Sequence, residues 1–317
     1  MFSSMKYVYE VYKERSFSKA AQNLYVSQPS LSATIKKTED KIGAQIFDRS
    51  TNPIQLTDVG KQYIKSLEEI MDIQNSFDNY VNNLNELKTG QLAIGGSNFF
   101  TSFILPPLIT EFTHKYPLVK IHLIESDTAT LKNMLIHGSL DLVIDNYDFY
   151  DPAYKTQIFA HETLVLAVPK RLESNKAAEK YQLTYKDIIN KKHLKEETPT
   201  VSLKFFENDP FIFLRRGNDT RRRAEKICED HGLSPKVILK LDQQITSYNV
   251  ACYGMGIAFI SDTLINKTKP DPNIIFYKLD DPYAKRNIYF YHKQSKYVTR
   301  AMSEFLKIVE ARTISSK

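Results

Sequence analysis

The polar residues best suited to recognition chemistry crowd into one short stretch: Ser27, Gln28, Ser30, Ser32, Lys36, Lys37 and Arg49. Gln28 can meet the edge of adenine with carbonyl and amide together, and Ser30 and Ser32 can donate to or accept from base edges or phosphates. Lys36, Lys37 and Arg49 carry the charge that neutralises phosphate, and a helix opening at Ser27 would aim free N–H groups at another. Pro29 fits the first turn of that helix, where its missing N–H has no partner to lose. Ala33 shares the outward face. Ser27 serves equally well as a helix cap, and Lys37 as a solvated charge.

A second set is scattered. Ser97 and Asn98 end an apolar segment, Thr101 and Ser102 open the next helical pattern, Asn218 and Thr220 open another, and Gln244 and Thr246 a third. At carboxyl ends of strands facing helix N-termini, these hydroxyls and amides suit a small anion such as a carboxylate or inorganic oxyanion. Each can also act as a cap. Arg215 and Arg216 are strand neighbours pointing to opposite faces, so at most one adds charge to such a site.

Chemistry of other kinds finds little support. There is no metal-spaced His/Cys set and no phosphate-binding glycine loop, and histidines such as His114, His122, His161 and His231 lie apart. The expectation is no enzyme, no cofactor and no metal. Cys228 and Cys252 are too few for a disulfide framework or a four-ligand zinc site, and they read as buried free thiols rather than a redox pair.

Positioning the first set takes three helices. Met5, Val8, Tyr9 and Tyr12 recur on one helical face that ends near Arg15. Ser18 is the expected cap of a short helix over 19–24, whose Ala20 and Ala21 allow close approach. Ser27 opens a third, with Leu31, Ile35, Thr38 and Ile42 inward and Gly43 closing it. Two short helices around a tight turn, the second polar outside, describe a helix-turn-helix. IFDRSTNPIQLT then reads as two strands around Asn52-Pro53, a wing. Tyr63, Leu67, Ile70, Gln74, Phe77, Val81 and Leu84 alternate steps of four and three, a heptad seam that calls for a partner helix or the chain's own domain.

The second set needs a different frame. LAIGG, VKIHLIES and DLVIDN read as strands separated by the helices SFILPPLITEFTHKY and TLKNMLIHG, a βαβαβ unit with a parallel sheet. A further series runs ETLVLAVPK, PFIFLRR, TRRRAEKICEDHG, KVILKL, ITSYNVACYGM and GIAFIS. IIFYKLD, NIYFYHK and the helix TRAMSEFLKIVEA are expected to return to the first lobe. The boundaries this gives are a DNA-binding unit over 1–57, a linker and dimerisation helix over 58–89, and a two-lobed α/β domain over 90–317. Lobe I takes 90–160 and 266–317, and lobe II takes 161–265. KKHLKEETPTVSLKFFEND, over 191–209, is a local elaboration without a role.

Residues 16–60, SFSKAAQNLYVSQPSLSATIKKTEDKIGAQIFDRSTNPIQLTDVG, resemble the LysR-type helix-turn-helix along their whole length without a gap. The Ala-Ala pair, VSQPSLS, IFDR and LTDVG carry the likeness. Two positions depart: Ala33 stands where the family commonly has a basic residue, and Thr38 where it usually has a buried leucine. Element order and YNVACYGMGIAFIS likewise resemble the effector-binding half of such regulators, itself similar to periplasmic binding proteins. The resemblance implies double-stranded operator DNA as partner, a small-molecule effector between the lobes, and self-association through the linker helix, often to tetramers.

Composition agrees but does not decide. The 317 residues exceed one average domain, and 42% hydrophobic with 25% charged residues is ordinary globular usage. Net charge is +6, yet residues 1–57 hold eight basic against five acidic residues and 58–88 hold three against six, so the excess is not concentrated on the DNA-binding unit. The opening residues lack the apolar core of a secretory signal and no stretch approaches about 18 apolar residues, so a cytoplasmic protein without membrane contact is expected. A solute-binding transport protein would need an export signal and no helix-turn-helix.

Overall fold

The computed structural model describes residues 2–83, 90–149 and 151–314, in two compact units divided between Val81 and Asn82. In the first, α1 (Phe2–Glu14), α2 (Phe17–Asn23) and α3 (Gln28–Ile42) precede the paired strands β1 (Phe47–Asp48) and β2 (Gln55–Leu56), and α4 spans Asp58–Asn83. Met5, Val8 and Val11 are the buried positions of α1, with Tyr9 and Tyr12 half-buried beside them. The second helix begins two residues before its expected start at 19, so Ser18 is not its cap. Ser16 is the cap, its Oγ accepting from Lys19 N at 3.4 Å, and Ser18 is exposed. Phe17 explains the difference: it must face inward, where its ring meets Phe47 edge-on at 5.8 Å.

Leu31, Ile35 and Thr38 form the inward face of α3, with Ile42 half-buried. Thr38 tolerates burial because its hydroxyl donates to the Thr34 carbonyl at 3.0 Å, so no polar atom is orphaned. Gly43, at φ 78°, ends the helix in the left-handed region. Thr57 Oγ1 accepts from Gly60 N at 2.9 Å and caps α4, and a Cβ at Gly60 would overlap the Ile46 carbonyl, which accounts for the glycine of LTDVG.

The seam on α4 divides in two. Ile64 and Leu67 are buried in the core of this unit, with Tyr63 and Ile70 half-buried against it, whereas Gln74, Ile73 and Phe77 are exposed, the last two at 70% and 64%. The Val81 side chain and Leu84 lie outside the described residues.

In the second unit β3 (Gly90–Gly96), α5 (Leu105–Lys115), β4 (Val119–Glu125), α6 (Thr128–Ile136) and β5 (Leu142–Asp145) give the expected βαβαβ order, β3 pairing in parallel with both other strands. The 16-residue β6 (Tyr154–Pro169) follows, then α7 (Ser174–Ala177), β7 (Gln182–Leu183), α8 (Tyr185–Ile189), β8 (Pro210–Leu214) and α9 (Asp219–Asp230). β9 (Lys236–Leu241), α10 (Gln244–Cys252), β10 (Ile257–Ser261), α11 (Asp262–Ile265), β11 (Ile274–Lys278), β12 (Lys285–Lys293) and α12 (Arg300–Ile314) complete it. β6 ties the lobes together: residues 154–163 pair with β12, and residues 164–169 run between β10 and β11. The strand order is β4-β3-β5-β12-β6-β10-β8-β9.

The return of IIFYKLD to the first lobe is corrected. β11 pairs with residues 165–169 of β6 and with β7 in the second lobe, leaving β12 and α12 to return. Its side chains explain the placement, since Ile274 and Phe276 enter one core and Tyr277 the other, a strand covered on both faces. The 191–209 segment is held by this strand: Val201 N donates to the Lys278 carbonyl at 3.0 Å and Phe206 packs edge-on against Tyr277.

The exposed half of the α4 seam yields an expected outcome. Ile73→Ser with Phe77→Ser should leave thermal stability nearly unchanged, within about 0.5 kcal/mol as for most surface changes, while lowering the sedimentation coefficient toward a monomer's. An unchanged coefficient would locate self-association elsewhere.

Candidate functional sites

The outer face of α3 is the first site. Gln28, Pro29, Ser30, Ala33, Lys36 and Lys37 are all exposed, and Ser32 is half-buried. Ser27 Oγ accepts from Ser30 N at 3.4 Å, so it acts as the cap. Tyr25, 96% exposed at φ 54°, marks the tight turn before it.

Arg49 is less free than its charge suggests. Its Nη2 lies 2.9 Å from Glu39 Oε2, its Nη1 3.4 Å from Ser32 Oγ, and its guanidinium stacks over Phe17. Sequence reasoning does not reach the carboxylate behind this contact. Glu39 is buried, and its Oε1 also accepts from Ile46 N at 2.9 Å and Phe47 N at 3.3 Å, so one side chain joins the recognition helix to the first strand of the wing. An acidic residue beside the inward stripe of Leu31, Ile35 and Thr38 was the available signal.

The second site lies between the lobes of the C-terminal unit. A cavity of about 560 Å³ is lined from lobe I by Thr128, Lys132, Tyr147 and Phe149, and from lobe II by Arg216, Asn218, Arg221, Arg222 and Glu225. Two helix N-termini border it. Asp127 caps α6, accepting Thr130 N at 3.0 Å, and Asn218 caps α9, accepting Thr220 N at 2.9 Å. Four cationic residues face one carboxylate. Arg221 is paired with Glu225 and stacked over Phe213, Arg222 pairs with Asp219 at 2.6 Å, and Lys132 sits over the Phe149 ring at 5.5 Å. Arg216 is exposed, while Arg215 turns to Asp242 at 3.4 Å, so one of the two adjacent arginines lines the cavity.

Beneath the cavity the lobes are joined by a buried polar network. Arg286 Nε donates to Glu162 Oε1 at 2.6 Å, and its Nη1 donates to Asp219 Oδ2 and Thr220 Oγ1, both at 3.0 Å. The Arg286, Glu162 and Asp219 side chains are each only 1% exposed. Asn146 reaches Glu162 from lobe I at 3.1 Å, and Gln244 links Thr220 to Ser261 in lobe II. Burial alone would raise the Asp219 carboxyl, but Arg286 and Arg223 override it and hold it below its usual range. Asp145 has no such cation among the described residues. Burial pushes it up to about 6 against the hydrogen bonds from Tyr147 N and Thr128 Oγ1, and the charge of Asp219 adds to the rise.

Of the eight residues expected around an effector, Asn218 lines the cavity, and Thr220 and Gln244 belong to the network under it. Thr101 Oγ1 lies 3.2 Å from the Ser97 carbonyl and 3.1 Å from Glu125 Oε2, Asn98 donates to Glu125 Oε1 at 3.2 Å, and Ser102 and Thr246 are exposed. Thr128, Lys132 and Tyr147 were missed, although they follow the carboxyl ends of the second and third strands, where the rule applied to the first strand holds equally. The cysteines are poor nucleophiles, burial pushing the Cys228 thiol up to about 12 and Cys252 up to about 11.

A helix-turn-helix with a wing, followed by a two-lobed α/β domain with a polar cavity between its lobes, defines a ligand-responsive DNA-binding regulator. Residues 2–61 match the family model described as bacterial regulatory helix-turn-helix protein, lysR family, and residues 85–313 that of the LysR substrate binding domain. The chain belongs to the LysR family of transcriptional regulators, with a DNA-binding helix-turn-helix and a substrate-binding domain. It is 29% identical over 310 residues to the uncharacterized HTH-type transcriptional regulator YcgK of Bacillus subtilis, covering 96% of this chain and 92% of that one. A probable RuBisCO transcriptional regulator of Cyanidioschyzon merolae is 26% identical over 304 residues, with 92% and 91% covered. Among solved structures, a full-length OxyR variant from Pseudomonas aeruginosa matches with a TM-score of 0.70 at 18% identity, covering 99% and 94% of the two chains. Full-length CbnR in complex with its target DNA matches at 0.64 and 17% identity, covering 98% and 99%. These likenesses extend the fold assignment to both units.

Two outcomes follow from the geometry. Glu39→Ala strands two wing N–H groups and a guanidinium, so it should destabilise the N-terminal unit by about 3 kcal/mol and weaken DNA binding, whereas Ser32→Ala should leave melting unchanged. Calorimetry of the two variants separates them. Asp145, higher in the folded than in the unfolded chain, favours folding below its ordinary value near 4, and that contribution of about 3 kcal/mol is lost as pH rises to 6. Relative to Asp145→Asn, the wild-type protein should therefore lose stability between pH 4 and 6 and track the variant above that. A constant difference across the range would contradict the assignment.

Proposed function

We propose that the chain is a cytoplasmic, sequence-specific regulator that binds its operator as a dimer and is controlled by a small anionic effector between its C-terminal lobes. Residues 1–57 would read DNA, 58–89 would pair subunits, and 90–317 would sense the effector, by binding rather than catalysis. The observation that carries the effector reading is the charge of the inter-lobe cavity, where Lys132, Arg216, Arg221 and Arg222 outnumber Glu225. Two capped helix N-termini border the same space, and such termini favour negative charge.

On the DNA side, Gln28 is exposed at the start of α3 and suits a bidentate contact to adenine, with Ser30, Ser32 and the site of Ala33 along the groove-facing turn. Lys36, Lys37 and the exposed edge of Arg49 would neutralise phosphates, and Ser27 with its helix N-terminus would hold another. Ala33 removes one cationic contact and narrows the set of direct readers. An anion seated between the lobes would change their closure, and so the spacing of two recognition helices, provided it binds the two states with different affinity.

DNA binding is tested with a fragment of the protein's own promoter region at two salt concentrations. The wild-type affinity should fall as salt rises, and Gln28→Ala with Ser32→Ala and Lys36→Ala should weaken it at least tenfold, each base contact supplying about 1–3 kcal/mol. A folded variant that binds as tightly as wild type would refute this assignment. Arg216→Ala should leave effector-free DNA binding unaltered and reduce the response to the effector.

A further inference from the structure

A cleft of about 1000 Å³, larger than the one between the lobes, lies over the strands that cross from lobe to lobe. Its floor includes His161, Glu162 and Thr163 of β6 and Lys285, Arg286 and Asn287 of β12. Side chains alternate along a strand, so the His161–Asn287 pair turns away from the face on which Glu162 meets Arg286 in the inter-lobe network. One wall is the 191–209 segment, fixed by three contacts. His193 Nε2 lies 2.9 Å from Asp262 Oδ2, and Lys278 Nζ donates to the carbonyls of Lys195 at 2.6 Å and Thr198 at 3.1 Å. The other wall is the turn through Asp280 and Asp281 after β11.

The hydrogen bonds around the two histidines set what this cleft can bind. Asn287 Nδ2 donates to the Tyr289 hydroxyl at 2.8 Å, which leaves its carbonyl oxygen facing His161 Nδ1 at 2.6 Å. His161 therefore carries a proton on Nδ1. His193 Nε2 donates to Asp262, whose other oxygen already accepts Thr163 N, which leaves Nδ1 as the open position of the ring. That atom is buried without a partner in a side chain only 1% exposed. Glu196 and Asp280 are exposed on the walls, and among the described residues neither carboxylate has a cation partner. Lys278 is used by two carbonyls, which leaves Lys285, among the described residues, as a free cation on the floor. Acceptors thus outnumber free donors, the reverse of the inter-lobe cavity. Among the described residues no group of three His, Cys, Asp or Glu side chains could hold a metal ion.

We propose that this cleft is a second ligand site, separate from the inter-lobe cavity, and that it takes a small organic cation with several N–H donors, a polyamine or a guanidino amine. The ammonium or guanidinium groups pair with Glu196 and Asp280, and an N–H donor satisfies His193 Nδ1. Both crossing strands lie in the floor, and Glu162 and Arg286, which border this cleft, join Asp219 at the start of α9, so a cation here and an anion between the lobes are coupled through that buried network and each changes the affinity for the other. The elaborated 191–209 segment then has a role: it builds the wall of this site.

The test uses the full-length protein and calorimetric titration with agmatine and spermidine, with succinate and 1,4-butanediol as anionic and neutral counterparts. The expected result is saturable binding of at least one of the two amines and not of 1,4-butanediol, with any succinate binding lost in Arg216→Ala and not competing with the amine. Glu196→Gln with Asp280→Asn should weaken it about tenfold, the scale of one charge-assisted hydrogen bond, with unchanged melting. On saturation the 15N resonance of His193 Nδ1 should move from that of a free ring acceptor to that of a hydrogen-bonded one. Arg216→Ala, in the other cavity, should leave amine binding intact. Absence of saturable amine binding overturns the proposal, as does equal binding by the Glu196/Asp280 variant. Amine binding lost in Arg216→Ala overturns the location.

Discussion

The C-terminal unit depends on one buried cation. Arg286, on a strand that crosses between lobes, holds Glu162 on the neighbouring crossing strand and Asp219 at the start of α9, and each of the three side chains is 1% exposed. Removing any one would leave an uncompensated charge away from water, a loss of about 3–5 kcal/mol. The network also decides which groups remain for a ligand. Asp219 and Thr220 face Arg286 rather than the cavity, so the charge offered there comes from Lys132, Arg216 and the outer arginines of α9.

The N-terminal unit repeats this logic on a smaller scale. Glu39 does for the helix-turn-helix what Arg286 does for the lobes, one buried charge tying a helix to a strand. Its two oxygens take the wing backbone and Arg49. The wing is held as well by Phe47 against Phe17 and by Ile54 N on the Arg15 carbonyl, so Glu39 adds a polar tie to an apolar one. Arg49 accordingly has two tasks, neutralising Glu39 and presenting its exposed edge.

Charge is sorted within the fold in a way the total of +6 conceals. The inter-lobe cavity is lined mainly by cations, whereas the cleft over the crossing strands carries Glu196 and Asp280 without cation partners among the described residues. A strand's period of two contributes, leaving His161 exposed and its neighbour Glu162 buried.

The sequence alone settled the elements whose signals are local. Ser27, Pro29 and Gly43 delimit the recognition helix by capping and backbone geometry, and the apolar periods of 3.6 and 2 separate helices from strands. The outward face of α3 and the βαβαβ order followed from the same patterns, and Asn218 was legible as a helix opener at a strand end. What escaped was decided by pairings that no local pattern displays. Glu39 meets a wing 7 and 8 residues on, while Arg286 meets Glu162 and Asp219 across 124 and 67 residues. β11 took the second lobe because the free edge of β6 lay there and both of its faces could be covered. Period and capping are properties of neighbours, which a sequence displays. Pairing of buried charges and choice of strand edge are properties of closure, and these existed only once the chain had folded.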